Sequence, residues 1–228
     1  MPSLRALLVV ISAGSGCWLS ACHGHAAEVS ADIGKVVEVK SAFGPDFQVK
    51  DIARTGIDPR LLKATELPNG LTFEPPECSK VAVSQALPRG VQGNMAAVAA
   101  EGNGNRFITI ALETSEPVPF TEPGRECQRI AFAGPRVRGM EEVVEAPKID
   151  GVQTVGIHRL IQAAVPQGKP RIGEIYNYSA YFGPYQVLVI ANPLVQPDAP
   201  VVPVDTARAR ELLVAAVAAV RSAPAPED

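Results

Sequence analysis

The sequence is poor in the side chains that most often carry enzyme chemistry. Its 228 residues include three histidines and four cysteines. His23 and His25 stand near the N-terminus, so His158 is the only histidine in the rest of the chain. A nucleophilic serine needs a base beside it, and neither a Gly-x-Ser-x-Gly nor a Ser-x-x-Lys pattern occurs. These absences exclude the common hydrolase signatures and favour a protein that is not an enzyme.

Signatures of nucleotide and metal binding are also absent. There is no Walker loop and no His-Glu-x-x-His sequence. Gly102-Asn103-Gly104 lacks a third glycine and the following helix that a phosphate cradle needs, so it indicates a tight turn. His23 and His25 are a reasonable imidazole pair for a metal, but two ligands on an N-terminal tether make a weak site. We therefore expect no cofactor and no bound metal.

No apolar run approaches the roughly 20 residues that a membrane-spanning helix needs. The N-terminal run at residues 6–11 follows the basic Arg5 and leads into small residues, which is the layout of a cleaved signal. It closes on Leu19-Ser20-Ala21-Cys22, which resembles the lipobox at which bacteria acylate a cysteine and cleave the leader before it. We predict a lipoprotein signal peptide over residues 1–21 and lipidation, including palmitate, at Cys22.

Two alternatives to acylation of Cys22 remain. Cys17 follows Gly14-Ser15-Gly16, which lacks the aliphatic residue that the lipobox has three positions before its cysteine. An ordinary secretory signal, cut near Ala26-Ala27, would discard Cys22 altogether. One acyl chain gives only marginal attachment, whereas the two or three chains of a lipoprotein anchor it durably.

The tether over residues 22–31 sets how far the domain can stand from its anchor. The eight residues after Cys22 reach at most about 30 Å when extended. We therefore expect a lipid-anchored domain on the extracytoplasmic face of the cell membrane, whose ligand or partner lies in the envelope.

Charge and cysteine content narrow the partners and the compartment. The formal net charge is −3, and it becomes −4 when the leader, which holds Arg5 and no acid, is removed. This sign argues against a nucleic-acid partner. Cys78 and Cys127 are then the remaining thiols, and in an exported protein they predict one disulfide. Such a bridge would stabilise the fold by about 4 kcal/mol in the chain-entropy account. A metal pair or redox couple is the alternative, but neither cysteine lies in a Cys-x-x-Cys or beside a histidine.

Hydrophobic periodicity predicts an α+β domain over residues 32–221, in which helices pack on an antiparallel sheet. We predict that the short segment at residues 222–228 is a disordered tail. We expect helices at residues 32–43, 58–67, 79–87 and 206–220, the last capped by Asp205. Strands are expected at residues 47–52, 95–100, 106–113, 127–133, 143–147, 152–161, 175–182 and 186–191.

Several of these features together resemble a mycobacterial envelope lipoprotein family built on a domain of unknown function. They include the lipobox, the Pro75-Pro76-Glu77-Cys78 segment and the hairpin formed by the strands at residues 95–100 and 106–113. They also include the second cysteine about 50 residues after Cys78, the Pro147-Lys148-Ile149-Asp150-Gly151 turn, the Tyr176-Asn177-Tyr178-Ser179-Ala180 strand and the alanine-rich last helix. More distantly, the chain is similar to the extracellular sensor domains of mycobacterial receptor kinases. Those sensors typically carry two disulfides, whereas this chain can form one. The resemblance implies no catalytic residues.

The tyrosine-rich strand is the candidate binding surface. Tyr176, Tyr178 and Phe182 share one face of it, and rings with polar tips suit an apolar groove with a wet rim. Packing in the core is the alternative. The basic run of Arg125, Arg129, Arg136 and Arg138 is either a solvated face or a patch that faces anionic envelope lipids.

Together these features favour a non-enzymatic module that binds or senses an envelope lipid, glycan or protein. The alternatives are a structural surface protein without a pocket and an envelope hydrolase that uses His158.

Replacing Cys22 tests the anchor. We expect C22S to move the protein from the membrane fraction to the soluble fraction, because no acyl chain can then be attached. C17S is the matched control and should leave the protein in the membrane fraction. An unmodified N-terminus in the mass spectrum of the wild-type protein would contradict the prediction.

Overall fold

The computed structural model describes residues 30–58, 60, 67–83, 87, 91–166, 168–196 and 199–222. Its centre is one nine-stranded antiparallel sheet in the order β1-β3-β4-β9-β8-β7-β6-β5-β2. The strands are β1 Gln48–Gly56, β2 Thr72–Glu74, β3 Gly93–Gly102, β4 Asn105–Thr114, β5 Arg129–Ala133, β6 Val137–Val144, β7 Gln153–Ala163, β8 Arg171–Phe182 and β9 Tyr185–Pro193. The predicted α+β class is confirmed.

Two longer helices flank the strands in sequence. The N-terminal 3₁₀ helix covers Ile33–Ala42 and the C-terminal α-helix covers Thr206–Arg221. Asp32 and Asp205 cap them, accepting hydrogen bonds from the backbone N–H of Gly34 at 2.8 Å and of Arg208 at 2.9 Å. None of the helices in the described part of the chain has the length and apolar character needed to cross a bilayer.

The N-terminal helix is a 3₁₀ helix, and its buried apolar residues recur every third position. Ile33, Val36 and Val39 are all buried, and a helix with three residues per turn stacks them on one side. The sequence predicted a helix here. The three buried residues form a stripe narrower than the apolar face of a typical α-helix.

Two of the hairpins form at turns whose residues have positive φ. In the first, Asn103 and Gly104 have φ values of +49° and +76°, the left-handed pair that a two-residue type I′ turn requires. This turn fixes the register of β3 on β4, which pair from Gly93 and Thr114 through Gly102 and Asn105. The second hairpin joins β8 to β9 through Gly183, whose φ is +58°.

Some element predictions were wrong or fall outside the described residues. In place of the strand expected at residues 143–147, the structure has β6 at Val137–Val144. Its first residues were missed because Arg138, Gly139, Glu141 and Glu142 interrupt the alternation of apolar and polar residues by which a half-exposed strand is recognised. The strand expected from Cys127 begins at Arg129, since Cys127 ends the short 3₁₀ helix Arg125–Cys127. The sequence also missed β2. The helix predicted at residues 79–87 is observed over Ser79–Val83, and residues 84–86 lie outside the described residues. Most of residues 58–67, the signal peptide, Cys22 and most of the tail also lie outside them.

The predicted disulfide is confirmed. Cys78 and Cys127 are joined, at a sequence separation of 49. Both are buried with Ala82 and Ile130, and Phe73 packs against this cluster. The bridge therefore fastens the short helix that follows Cys78 to the β5 end of the sheet.

The two long helices cover only part of one sheet face. The C-terminal helix packs mainly on β9, β8 and β4, and the N-terminal helix on β3, β1 and β4. Nine strands spaced at about 4.8 Å span roughly 38 Å, whereas two helices, each about 10 Å across, cover roughly 20 Å. The helix-side face of β5, β6 and β7 is consequently left without a helix.

The opposite face is covered by loops. Ile57 and Leu87 pack on the buried side chains of β3, β4 and β9. Val118 and Phe120 pack on Tyr181 and its neighbours in β7. Loops thus cover the central part of this face.

Burial of the C-terminal helix against the sheet predicts a sharp contrast between adjacent residues. Leu213 is fully buried, while Val214 is 44% exposed. We expect L213A to lower the free energy of unfolding by about 2–5 kcal/mol because it leaves a cavity, and V214A to change it by less than about 0.5 kcal/mol. Urea denaturation measures both, and equal effects would contradict this packing.

Candidate functional site

The uncovered part of the helix-side face is the candidate functional site, and we call it the open face. Strand register places its side chains in three rows across β5, β6, β7 and β8. The rows are Arg129, Glu142, His158 and Tyr176; then Ala131, Met140, Leu160 and Glu174; then Ala133, Arg138, Gln162 and Ile172.

The inner row carries a polar cluster. His158 Nε2 lies 3.0 Å from Glu174 Oε1, and the imidazole stacks on the Tyr176 ring with centroids 4.2 Å apart. Burial, followed by the charges of Glu174 and Glu142, raises the pKa of the Tyr176 hydroxyl. A carboxylate that orients a histidine in this way fixes the ring in one position.

The outer rows form an apolar depression of about 490 Å³. Met140 and Leu160 are half-buried at its floor, and Ile172 at its edge is 70% exposed. Such a volume lies within the range of small-molecule sites. The depression is open to solvent along its length, so it suits an extended or flat ligand more than an enclosed one.

The three predicted binding residues do not share one environment. Tyr178 and Phe182 are buried beneath the C-terminal helix, with 1% and 6% exposure, and Tyr176 lies at the border of the open face. Burial raises the pKa of the Tyr178 hydroxyl more than the nearby Arg210 lowers it. This burial favours core packing for Tyr178 and Phe182; a ligand role for the three residues stays a prediction.

The four arginines of the predicted basic patch are distributed over different elements. Arg129 and Arg138 lie on the open face, Arg136 lies in the turn between β5 and β6, and Arg125 lies in the 3₁₀ helix beside the disulfide. Three of the four therefore border one surface.

Sequence reasoning missed Glu174, Met140, Leu160 and Ile172. They come from three different strands, and residues of these types are common in half-exposed strands. Only the pairing of β6 with β7 and β7 with β8 brings them together, and a sequence without known register does not fix that pairing.

A buried ion pair lies behind the open face, on the opposite side of the sheet. Arg159 Nε donates to Glu141 Oε1 at 2.6 Å, and both residues are almost fully buried. Burial raises the pKa of Glu141, and the facing guanidinium offsets only part of that shift. The pair joins β6 to β7, the two central strands of the open face.

Metal ligation finds no support within the residues that the structure describes. No group of three or more His, Cys, Asp or Glu side chains there could hold a metal ion. The possible pair of His23 and His25 lies outside these residues.

Comparisons with known proteins agree with this architecture and assign no activity. Residues 32–221 match DUF5642, a domain of unknown function. The chain is also similar to the crystal structure of an uncharacterised protein from Mycobacterium smegmatis, described as the Rv0999 ortholog, with 58% sequence identity and a TM-score of 0.78. The match covers 85% of this chain and 98% of that chain. No curated protein matches this chain.

The ion pair predicts a non-additive pattern of stability. Removing one partner leaves a buried charge, so E141L and R159M should each lower the free energy of unfolding by about 3–5 kcal/mol. The double variant E141L/R159M should be less destabilised than either single variant, because no charge remains unpaired. Urea denaturation of the three variants checks this, and additive losses would contradict it.

Proposed function

Since the chain belongs to the DUF5642 family, whose function is unknown, we propose that it is a non-enzymatic module that binds or senses an envelope ligand or partner. In this proposal a lipid on Cys22 holds it at the extracytoplasmic face of the cell membrane. The open face is its binding surface.

The observation that carries this proposal is the part of the helix-side face that neither long helix covers. Each Å² of apolar surface removed from water contributes about 25 cal/mol, so exposed apolar side chains such as Ile172 leave stabilisation unrealised. Contiguous apolar surface with a polar rim is typical of interaction sites on soluble domains. The open face has both parts, with Met140 and Leu160 in the middle and charged residues around them.

The disulfide and the position of the termini support the proposed location. A disulfide is typical of an exported protein. The backbone N–H of Asp32 donates to the carbonyl of Val220 at 2.9 Å, so the chain enters the domain at the C-terminal end of the last helix. At this same end, the Arg221 guanidinium donates a hydrogen bond to the backbone carbonyl of Asp150. The eleven residues of β7 lead away from it over about 35 Å, so the apolar rows lie far from the anchored end.

The alternative of a hydrolase has one supporting observation, the contact between His158 and Glu174. The residues opposite His158 in the neighbouring strands are Glu142 and Tyr176, and neither is a serine, threonine or cysteine nucleophile. The strand register thus places no nucleophilic side chain directly opposite His158. We favour a structural and electrostatic role for His158.

Site-specific photo-crosslinking in cells tests the proposal. A photoreactive amino acid at position 172, in the full chain, should form adducts with an envelope component, because this side chain projects from the open face. The matched control is position 201, since Val201 is 53% exposed and lies away from the open face.

Adducts from position 172 that are missing from position 201 would support binding at the open face. Equal adducts from both positions, or none from either, would contradict it and favour the alternative of a surface protein without a binding site.

A further inference from the structure

The two chain segments that form one end of the open face carry cations and no acid. Residues 131–140 and 161–173 contain four cationic side chains and no aspartate or glutamate. We call three of these the cationic tip: Arg136, Arg138 and Lys169. Arg171 alternates with Ile172 along β8 and therefore faces the other side of the sheet. The three residues of the tip lie in or next to the turns that join β5 to β6 and β7 to β8, at the end of the sheet away from Asp32 and Val220.

The cations of the tip are not used to stabilise the fold through ion pairs. Within the described part of the chain, none of the three lies within salt-bridge distance of a carboxylate. Arg138 Nε donates instead to the neutral amide oxygen of Gln162 at 2.6 Å. This contact holds the guanidinium beside the open face, with its full charge uncompensated.

The tip and the apolar depression are continuous. Arg138, Gln162 and Ile172 stand opposite one another on three adjacent strands, so about 10 Å separates the outer two. A cleft of about 220 Å³, lined in part by Arg136 and Pro170, opens between the two turns. Positive charge therefore lies directly next to exposed apolar side chains.

We propose that this surface binds a single-chain amphiphile with an anionic headgroup, of the lysophospholipid class. The headgroup lies on the cationic tip, where planar guanidinium groups suit phosphate. The acyl chain lies across Ile172, Leu160 and Met140. This inference rests on the proposed function, because it names the ligand class of the same open face.

Two observations favour one small amphiphile over the surface of a bilayer. The depression is a single volume of about 490 Å³, which suits one chain more than two. Glu174 and Glu142 border it on the inner side, and they would repel an extended anionic surface laid over the whole face. A compact headgroup at the tip avoids both carboxylates.

Calorimetric titration with lysophosphatidylglycerol below its critical micelle concentration tests the inference. The protein is the full chain with C22S, so that no covalent lipid competes. We expect saturable binding that is at least fivefold weaker in R136S/K169S and in I172S. The controls are K50S/K148S, which removes the same charge elsewhere, and V201S, and both should bind within twofold of the parent chain.

The same titration with lysophosphatidylcholine and with glycerol phosphate separates the two halves of the site. We expect the zwitterionic lipid to bind at least tenfold more weakly and the headgroup alone not to bind. Equal affinity for both lipids, binding only to anionic vesicles, or no binding of lysophosphatidylglycerol would each overturn the inference. If position 172 still crosslinks to an envelope component in the last case, the proposed function stands and only this ligand class fails.

Discussion

The width of the sheet relative to its helices is the constraint on which the architecture depends. Nine hydrogen-bonded strands make a surface about twice as wide as two helices can cover. The helices pack on the strands with the most apolar faces, where Val187, Val189 and Ala191 are fully buried. The strands toward β2 keep a mixed face of polar, charged and apolar residues, and this mixture is what makes the site.

Contacts on the opposite side of the sheet and near β5 stabilise the strands of the open face. The Glu141 and Arg159 pair joins β6 to β7 beneath it, and the disulfide cluster fastens the short helix near β5. His158 and Tyr176 stack at its inner border, next to the C-terminal helix. Rigid strands therefore position the side chains, which lowers the entropy lost when a ligand binds.

Local signals in the sequence predicted much of the fold, whereas long-range pairing decided the site. Asn103-Gly104 predicted a hairpin because both residues tolerate positive φ, and Asp205 predicted the start of the last helix. The disulfide followed from the two remaining cysteines. The residues of the depression come from separate strands and have no shared local pattern. Tyr178 and Phe182 were candidate binding residues because they are aromatic. Their burial depends on where the last helix packs, and periodicity alone does not determine that position.

The two methionines beyond Met1 offer the most direct test of the open face as a binding surface. Met140 lies in the depression and Met95 is fully buried in the core. In the NMR spectrum of the full chain with labelled methionine methyl groups, added envelope lipid extract should shift the Met140 signal and leave the Met95 signal in place. An unmoved Met140 signal, or equal shifts of both, would contradict the account.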